Sequence, residues 1–142
     1  MAEMETTPSK GEPIFDDVRV GDVMTEGVVS CSPDTPLREV AALMVENRIH
    51  SVVVYEGGPE RAWRIVSDID LVNAANADMD REQASEVAAT PVVTVTPDAR
   101  LGRVAQLMAE YQTAHLVVVD PGSGRPVGVI SSLDLARTLA ER

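Results

Sequence analysis

The sequence predicts an α/β (α+β) fold made of two copies of one β-α-β-β-α unit. The units pack around a pseudo-twofold axis, and each has a small sheet with helices on one face. Three observations lead there. First, a segment that reads as a strand running into a helix, Arg64-Ile65-Val66-Ser67-Asp68-Ile69-Asp70-Leu71, returns as Gly128-Val129-Ile130-Ser131-Ser132-Leu133-Asp134-Leu135. The offset is 131 − 67 = 64 and 134 − 70 = 64. Second, the same offset runs without a gap from Val23 (Val87) through Pro33-Asp34 (Pro97-Asp98) and Val53-Val54 (Val117-Val118) to Gly58 (Gly122), the mark of an internal duplication. Third, the chain is 44% hydrophobic but only 3% aromatic. Its apolar content is mostly Val, Ala, Leu and Met, and Val-rich runs suit buried strands.

Residues 1–16 are polar and acidic with Pro8, Gly11 and Pro13, and are expected to be a disordered tail. Residues 17–78 form the first repeat, 79–85 a linker and 86–142 the second repeat. Within the first repeat, Val28-Val29-Ser30-Cys31 reads as a short strand. A helix should follow, with Thr35 as N-cap and Pro36 at its first position. Leu37, Val40, Ala41 and Met44 then recur at i, i+3, i+4 and i+7, an apolar helical stripe. Ser51–Tyr55 is a Val-rich strand, Glu56-Gly57-Gly58-Pro59-Glu60 a turn, and Trp63–Val66 the returning strand. Ser67 opens a second helix whose core residues should be Ile69, Leu71, Val72 and Ala75. The second repeat follows the same order, with Pro121-Gly122-Ser123-Gly124-Arg125-Pro126 as its turn. One such unit is a three-stranded sheet with an uncovered apolar face, and two units can bury these faces together.

Composition narrows function. The formal net charge is −11, which speaks against nucleic acid, whose phosphates need a basic face, and against an anionic membrane surface. No apolar run reaches the length of a membrane span, and the first residues lack a signal core. With Cys31 as the single cysteine, no internal disulfide can form, which suits a reducing compartment. The expected location is the cytoplasm.

The candidate chemistry is the pair Ser67-x-x-Asp70 and Ser131-x-x-Asp134. Two readings stand side by side. A hydroxyl and a carboxylate three residues apart at a helix start make a capping box, which explains both residue types by itself. A helix N-terminus also offers N–H groups and a positive dipole end to phosphate, and an Asp at that spacing can accept from ribose hydroxyls, as acidic residues do in dinucleotide folds. Gly128, unlike Arg64 at the matching position, leaves the backbone approach to the second site open. Arg64 either reaches a phosphate or blocks the first site, and Glu56 and Glu60 flank the latter, so the sites are not equal. An enzyme reading finds little: no Walker loop, no Gly-x-Ser-x-Gly, no ligand set for zinc, and a Cys31 without a neighbouring base. No cofactor is implied.

These segments in this order resemble a tandem cystathionine-β-synthase (CBS) domain pair, or Bateman module. The likeness rests on Asp22-Val23-Met24-Thr25, Ser32-Pro33-Asp34-Thr35-Pro36-Leu37, Arg48-Ile49-His50-Ser51-Val52-Val53-Val54 and the two closing segments above. It covers roughly residues 20–142. It implies a non-catalytic regulatory or sensor module that binds an adenosine-containing ligand (AMP, ADP, ATP, S-adenosylmethionine or NAD) between the repeats. The alternative is a ligand-free dimerisation module acting on a partner by surface contact. By the resemblance, Ile49, His50 and Ser51 complete the site of Ser131, Ser132 and Asp134. Thr113, Ala114 and His115 complete the site of Ser67 and Asp70. His115 takes the place of a phosphate-binding basic residue, and Met24 and Val29, with Val87 and Val93, wall the adenine. The resemblance also implies a homodimer, and a stand-alone pair acting in trans on an enzyme or transporter.

Overall fold

The structure is a computed structural model that describes residues 14–55, 62–88 and 90–141. In chain order it has α1 (Ile14–Asp17), α2 (Val20–Val23), β1 (Thr25–Glu26), β2 (Ser30–Cys31), α3 (Leu37–Asn47), β3 (Ser51–Tyr55), β4 (Ala62–Ser67) and α4 (Asp68–Asn73). The second half has α5 (Ala84–Val87), β5 (Thr90–Pro91), β6 (Thr94–Val95), α6 (Leu101–Tyr111), β7 (His115–Val119), β8 (Pro126–Ser131) and α7 (Ser132–Ala140). The duplication survives in three dimensions: α3 and α6 start 101 − 37 = 64 residues apart, as do β3 and β7 at 115 − 51 = 64. The turn read at residues 56–60 lies outside the described residues. Its counterpart is a turn in which Ser123 N–H donates to Asp120 Oδ2 at 2.9 Å.

Each sheet has four strands rather than three, and the fourth comes from the other repeat. The orders are β2-β3-β4-β5 and β1-β8-β7-β6. Parallel β2–β3 and β6–β7 flank the antiparallel hairpins β3–β4 and β7–β8. The leading helices are exchanged in the same way. Val20 N–H donates to Ala99 O and Gly21 N–H to Pro97 O, both at 2.8 Å. At the matching positions, Ala84 N–H donates to Thr35 O at 2.8 Å and Ser85 N–H to Pro33 O at 2.9 Å. Phe15 and Val20 therefore sit in the core of the second repeat with Leu101, Val104, Leu116 and Ile130. Ala84 and Ala88 sit in the core of the first with Val40, Met44, Val52 and Val66. A self-similar sequence marks two units but cannot show that each lends its opening segment to the other.

Several local expectations change for this reason. Thr35 does not cap α3: Pro36 is the N-cap, and it bridges Gln83 of the exchanged segment. Buried Thr35 instead shares a hydrogen bond with Ser32 Oγ at 3.0 Å. Residues 79–85, read as a linker, pack on the start of α3: Arg38 N–H donates to Met79 O, Leu37 N–H to Glu82 O, and Arg38 pairs with Asp80 at 2.5 Å. Val28 and Val29 lie outside the strand, which is only Ser30–Cys31. Residues 14–16, assigned to the tail, open α1, and Phe15 is buried. Among the residues expected in the core of the second helix, Leu71 packs inward, but Ile69 and Val72 are 57% and 65% exposed and Ala75 lies on the surface beyond the helix end. Periodicity finds an apolar face; it cannot tell whether this chain or another molecule covers it.

Candidate functional site

Each repeat ends its hairpin by running directly into a helix, and both junctions form the same closed cap. Ser131 N–H donates to Asp134 Oδ2 at 2.8 Å, Ser131 Oγ–H donates to the same oxygen at 3.1 Å, and Asp134 N–H reaches Ser131 Oγ at 3.4 Å. The Ser67–Asp70 box repeats this at 2.8, 3.0 and 3.4 Å. The first-turn donors are further used by cross-strand contacts: Ser132 N–H donates to Ala114 O and Asp68 N–H to His50 O, both at 2.9 Å. Two of the three first-turn amides of each helix are thus already satisfied. An anion at either junction must draw mainly on side chains.

The side chains differ between the two clefts. The larger, about 460 Å³, brings Ile49, His50 and Ser51 of the first repeat opposite Ser131 and Asp134 of the second. Val28, Val29 and Val129 give it apolar wall, and Arg48 and Arg137 give it two guanidinium groups. A volume of this size falls in the range of small-molecule sites. Asp134 is buried at 6% exposure, and its second oxygen, Oδ1, accepts from Arg137 Nη1 at 3.3 Å. Arg137 is half-exposed, so this ion pair is weak and open to exchange. His50 Nδ1 lies 3.1 Å from Asp68 Oδ2, again on the surface.

The smaller cleft, about 380 Å³, brings Thr113, Ala114 and His115 opposite Ser67 and Asp70. Asp68, Ile69 and Gln112 also line it, and no Lys or Arg does among the described residues. Burial pushes the His115 imidazole below its ordinary range, with Asp68 drawing it part of the way back and His50 adding to the depression. Two carboxylates and a largely neutral imidazole make poor surroundings for phosphate.

Four sequence candidates lie off both linings. Ser132 is exposed at the start of α7; Met24 and Val93 pack on the second core, and Val87 on the first. Arg64 is not among the residues that line the smaller cleft, and its Nη1 donates to Ala88 O at 3.2 Å. The open approach expected at Gly128 is closed. A Cβ there would lie 2.6 Å from Thr25 O and 3.0 Å from Met24 Sδ, because β1 packs across this glycine. Sequence reading also missed the residues at the two left-handed helix ends, Arg48 (φ 56) and Gln112 (φ 51), which face the larger and smaller cleft respectively. A non-glycine residue with positive φ is uncommon, and nothing in the local sequence announces it. Arg137 was within reach of sequence reading, since it lies one helical turn beyond Asp134.

Two interleaved β-α-β-β-α units with paired clefts between them define a tandem-domain module. The chain matches the CBS domain twice, over residues 20–77 and 84–141, and belongs to that family as a CBS domain pair. It is 32% identical over 117 residues to the CBS domain-containing protein YhcV of Bacillus subtilis, covering 82% of each chain. Among solved structures it is similar to a CBS domain protein of Pyrobaculum aerophilum complexed with AMP. That match has 28% identity and a TM-score of 0.76, and covers 87% of this chain and 97% of the other. A further CBS domain pair, in complex with 5′-methylthioadenosine and S-adenosyl-L-methionine, aligns with a TM-score of 0.74 at 21% identity. It covers 87% of this chain and 97% of its own, and shares the fold. No helix among the described residues is long and apolar enough to cross a membrane.

Proposed function

We propose that this CBS pair is a non-catalytic regulatory module whose larger cleft takes an adenosine nucleotide or a related adenosine ligand. One observation carries the reading: the cleft joins apolar walls, a buried carboxylate and two guanidinium groups within one volume of nucleotide size. Val28, Val29, Ile49 and Val129 suit an adenine face. Asp134 Oδ1 can exchange Arg137 for ribose hydroxyls while Oδ2 keeps the cap. The released Arg137, with Arg48, then meets phosphate through charge-assisted bonds. The AMP complex of the Pyrobaculum relative supports this choice of ligand class.

A thermal-shift panel of AMP, ADP, ATP, S-adenosylmethionine and NAD tests the reading. A ligand at a hundred times its Kd stabilises by about 2.7 kcal/mol, or roughly 5–10 °C for a chain of this size. No shift with any of them at millimolar concentration overturns the nucleotide reading in favour of a ligand-free interaction module. The closed capping boxes are the observation that favours this second reading.

Assembly follows from the uncovered apolar surface. Val45, Ile69, Val72, Tyr111, Leu133 and Leu139 are exposed along α3, α4, α6 and α7. These helices come from both repeats, and exposed apolar residues that adjoin mark an interaction site. We infer a homodimer at micromolar concentration through this helical face, acting on an enzyme or transporter within the cytoplasm. Sedimentation should return the dimer mass across that range, and Val72→Asp should shift it towards monomer. A monomeric wild type would count against the assembly.

A further inference from the structure

His115 lines both clefts, and it alone does so among the described residues. The duplication does not require this. Its counterpart by the 64-residue offset is Ser51, since 115 − 51 = 64, and Ser51 lines the larger cleft only and carries no titratable group. The backbone of His115 is fixed in β7 opposite Ser131, and Thr113 Oγ1 donates to its carbonyl at 3.1 Å. No hydrogen bond holds its imidazole nitrogens among the described residues. Charged and titratable groups surround it from several elements. Asp68 and Asp70 approach from α4, His50 from the segment before β3, and Asp134 from α7. Arg48, Arg137 and, from β1, Glu26 line the larger cleft it borders.

We propose that His115 is a proton-linked wall shared by the two clefts: an anion bound in either draws a proton onto this one imidazole, so the occupancy of each cleft is linked to that of the other. The inference rests on the reading of the larger cleft as a nucleotide site; the smaller cleft, poor for phosphate while the imidazole is neutral, gains a cation when the ring is protonated. With both clefts empty, burial disfavours the imidazolium and the ring is neutral near pH 7. A phosphate beside it favours the charged form. The pKa is then higher in the bound state than in the free state. Binding takes up a proton and tightens as pH falls through the bound-state pKa towards the lower free-state pKa. Each unit of that rise gives up to about tenfold in affinity. Only one proton is involved. A second anion meets an imidazolium already formed, and by linkage each ligand alters the other's affinity by the same factor.

The test is titration calorimetry of the full chain with AMP at pH 7.5, in two buffers of different ionisation heat. At that pH a phosphate with a second pKa of about 6 is already almost wholly ionised, so proton uptake reports the protein. The expected result is uptake that never exceeds one proton per chain, however many AMP molecules bind, and that disappears in His115→Gln. Imidazole resonances of the wild type give a measurement that needs no variant to fold at that position: AMP should raise the His115 titration midpoint. Without ligand, Asp70→Asn and Asp134→Asn should each lower it. A midpoint moved by only one of the two substitutions overturns the proposal, because the ring then belongs to one cleft. So does uptake that persists in His115→Gln, or AMP binding without uptake, either of which leaves the nucleotide reading standing. A wild type silent to every ligand of the panel overturns that reading itself, and this proposal with it.

Discussion

Asp134→Ala should weaken binding of the ligand found in the nucleotide panel by at least about tenfold, while Asp70→Ala should change it much less. A buried carboxylate that accepts from ribose hydroxyls makes charge-assisted bonds worth about 1.5–3 kcal/mol each, and about 1.4 kcal/mol is a factor of ten. Only Oδ1 of Asp134 is available for this, because Oδ2 is held by the Ser131 amide and hydroxyl. The ribose must also displace Arg137 from Oδ1, but that contact is long and half-exposed, so its loss costs little. The difference between the two variants comes from their clefts. Asp134 has Arg48 and Arg137 beside it, whereas Asp70 shares its cleft with Asp68 and with His115, whose imidazole burial holds below its usual range.

Stability separates this reading from a purely structural one. Both variants lose a capping box, at about 1 kcal/mol each. If the carboxylates are caps and nothing more, the two substitutions lower the melting temperature alike and leave affinity alone. Calorimetric titration of both, with circular dichroism to check the fold, decides between the outcomes. Unchanged affinity in a folded Asp134→Ala would sink the ribose assignment. Asp134→Asn refines the result, since it keeps shape and one acceptor but loses the charge.

Much of the architecture can be read from the chain because duplication makes each inference twice. Ser67 and Asp70 alone are a common helix start; their return as Ser131 and Asp134 at a fixed offset makes them a structural feature. The same repetition hides what is not symmetric. Exchange of the leading segments places Val20 against Ala99, and Ala84 against Thr35. It depends on the path of the chain between repeats, which periodicity does not encode. The cleft partners Ile49-His50-Ser51 and Thr113-Ala114-His115 could be paired with the opposite Ser-x-x-Asp only through the family likeness. Arg48 and Gln112 escaped because their role depends on a left-handed φ at a helix end. Ile69 and Val72 were misplaced because an apolar helix face has the same pattern whether its cover is internal or another molecule.

Gly128→Ala should destabilise the protein by about 1–3 kcal/mol, the usual range for overpacking a filled site, and Gly102→Ala should do the opposite. The added methyl at 128 would stand 2.6 Å from the Thr25 carbonyl oxygen and 3.0 Å from Met24 Sδ. A backbone oxygen in a strand pairing cannot yield as a side-chain tip can, so β1 must move off β8. The matching position holds Arg64, and there the two cross-pairings differ in register. Thr25 pairs with Val129 and Glu26 with Gly128, whereas Thr90 pairs with Ile65 and Pro91 with Arg64, one position later by the offset. At Gly102 in α6 a methyl would meet nothing closer than 3.8 Å. There the gain is backbone entropy and helix propensity, about 0.5–1 kcal/mol. At about 2–4 °C per kcal/mol for a chain near this size, the two variants should part by several degrees in melting temperature. Displaced β1 also carries Thr25, Glu26 and Gly27, which line the larger cleft, so Gly128→Ala should weaken nucleotide binding where Gly102→Ala does not. Equal melting temperatures for wild type and Gly128→Ala would mean that β1 does not hold the position described, and that the wall of the larger cleft is drawn wrongly.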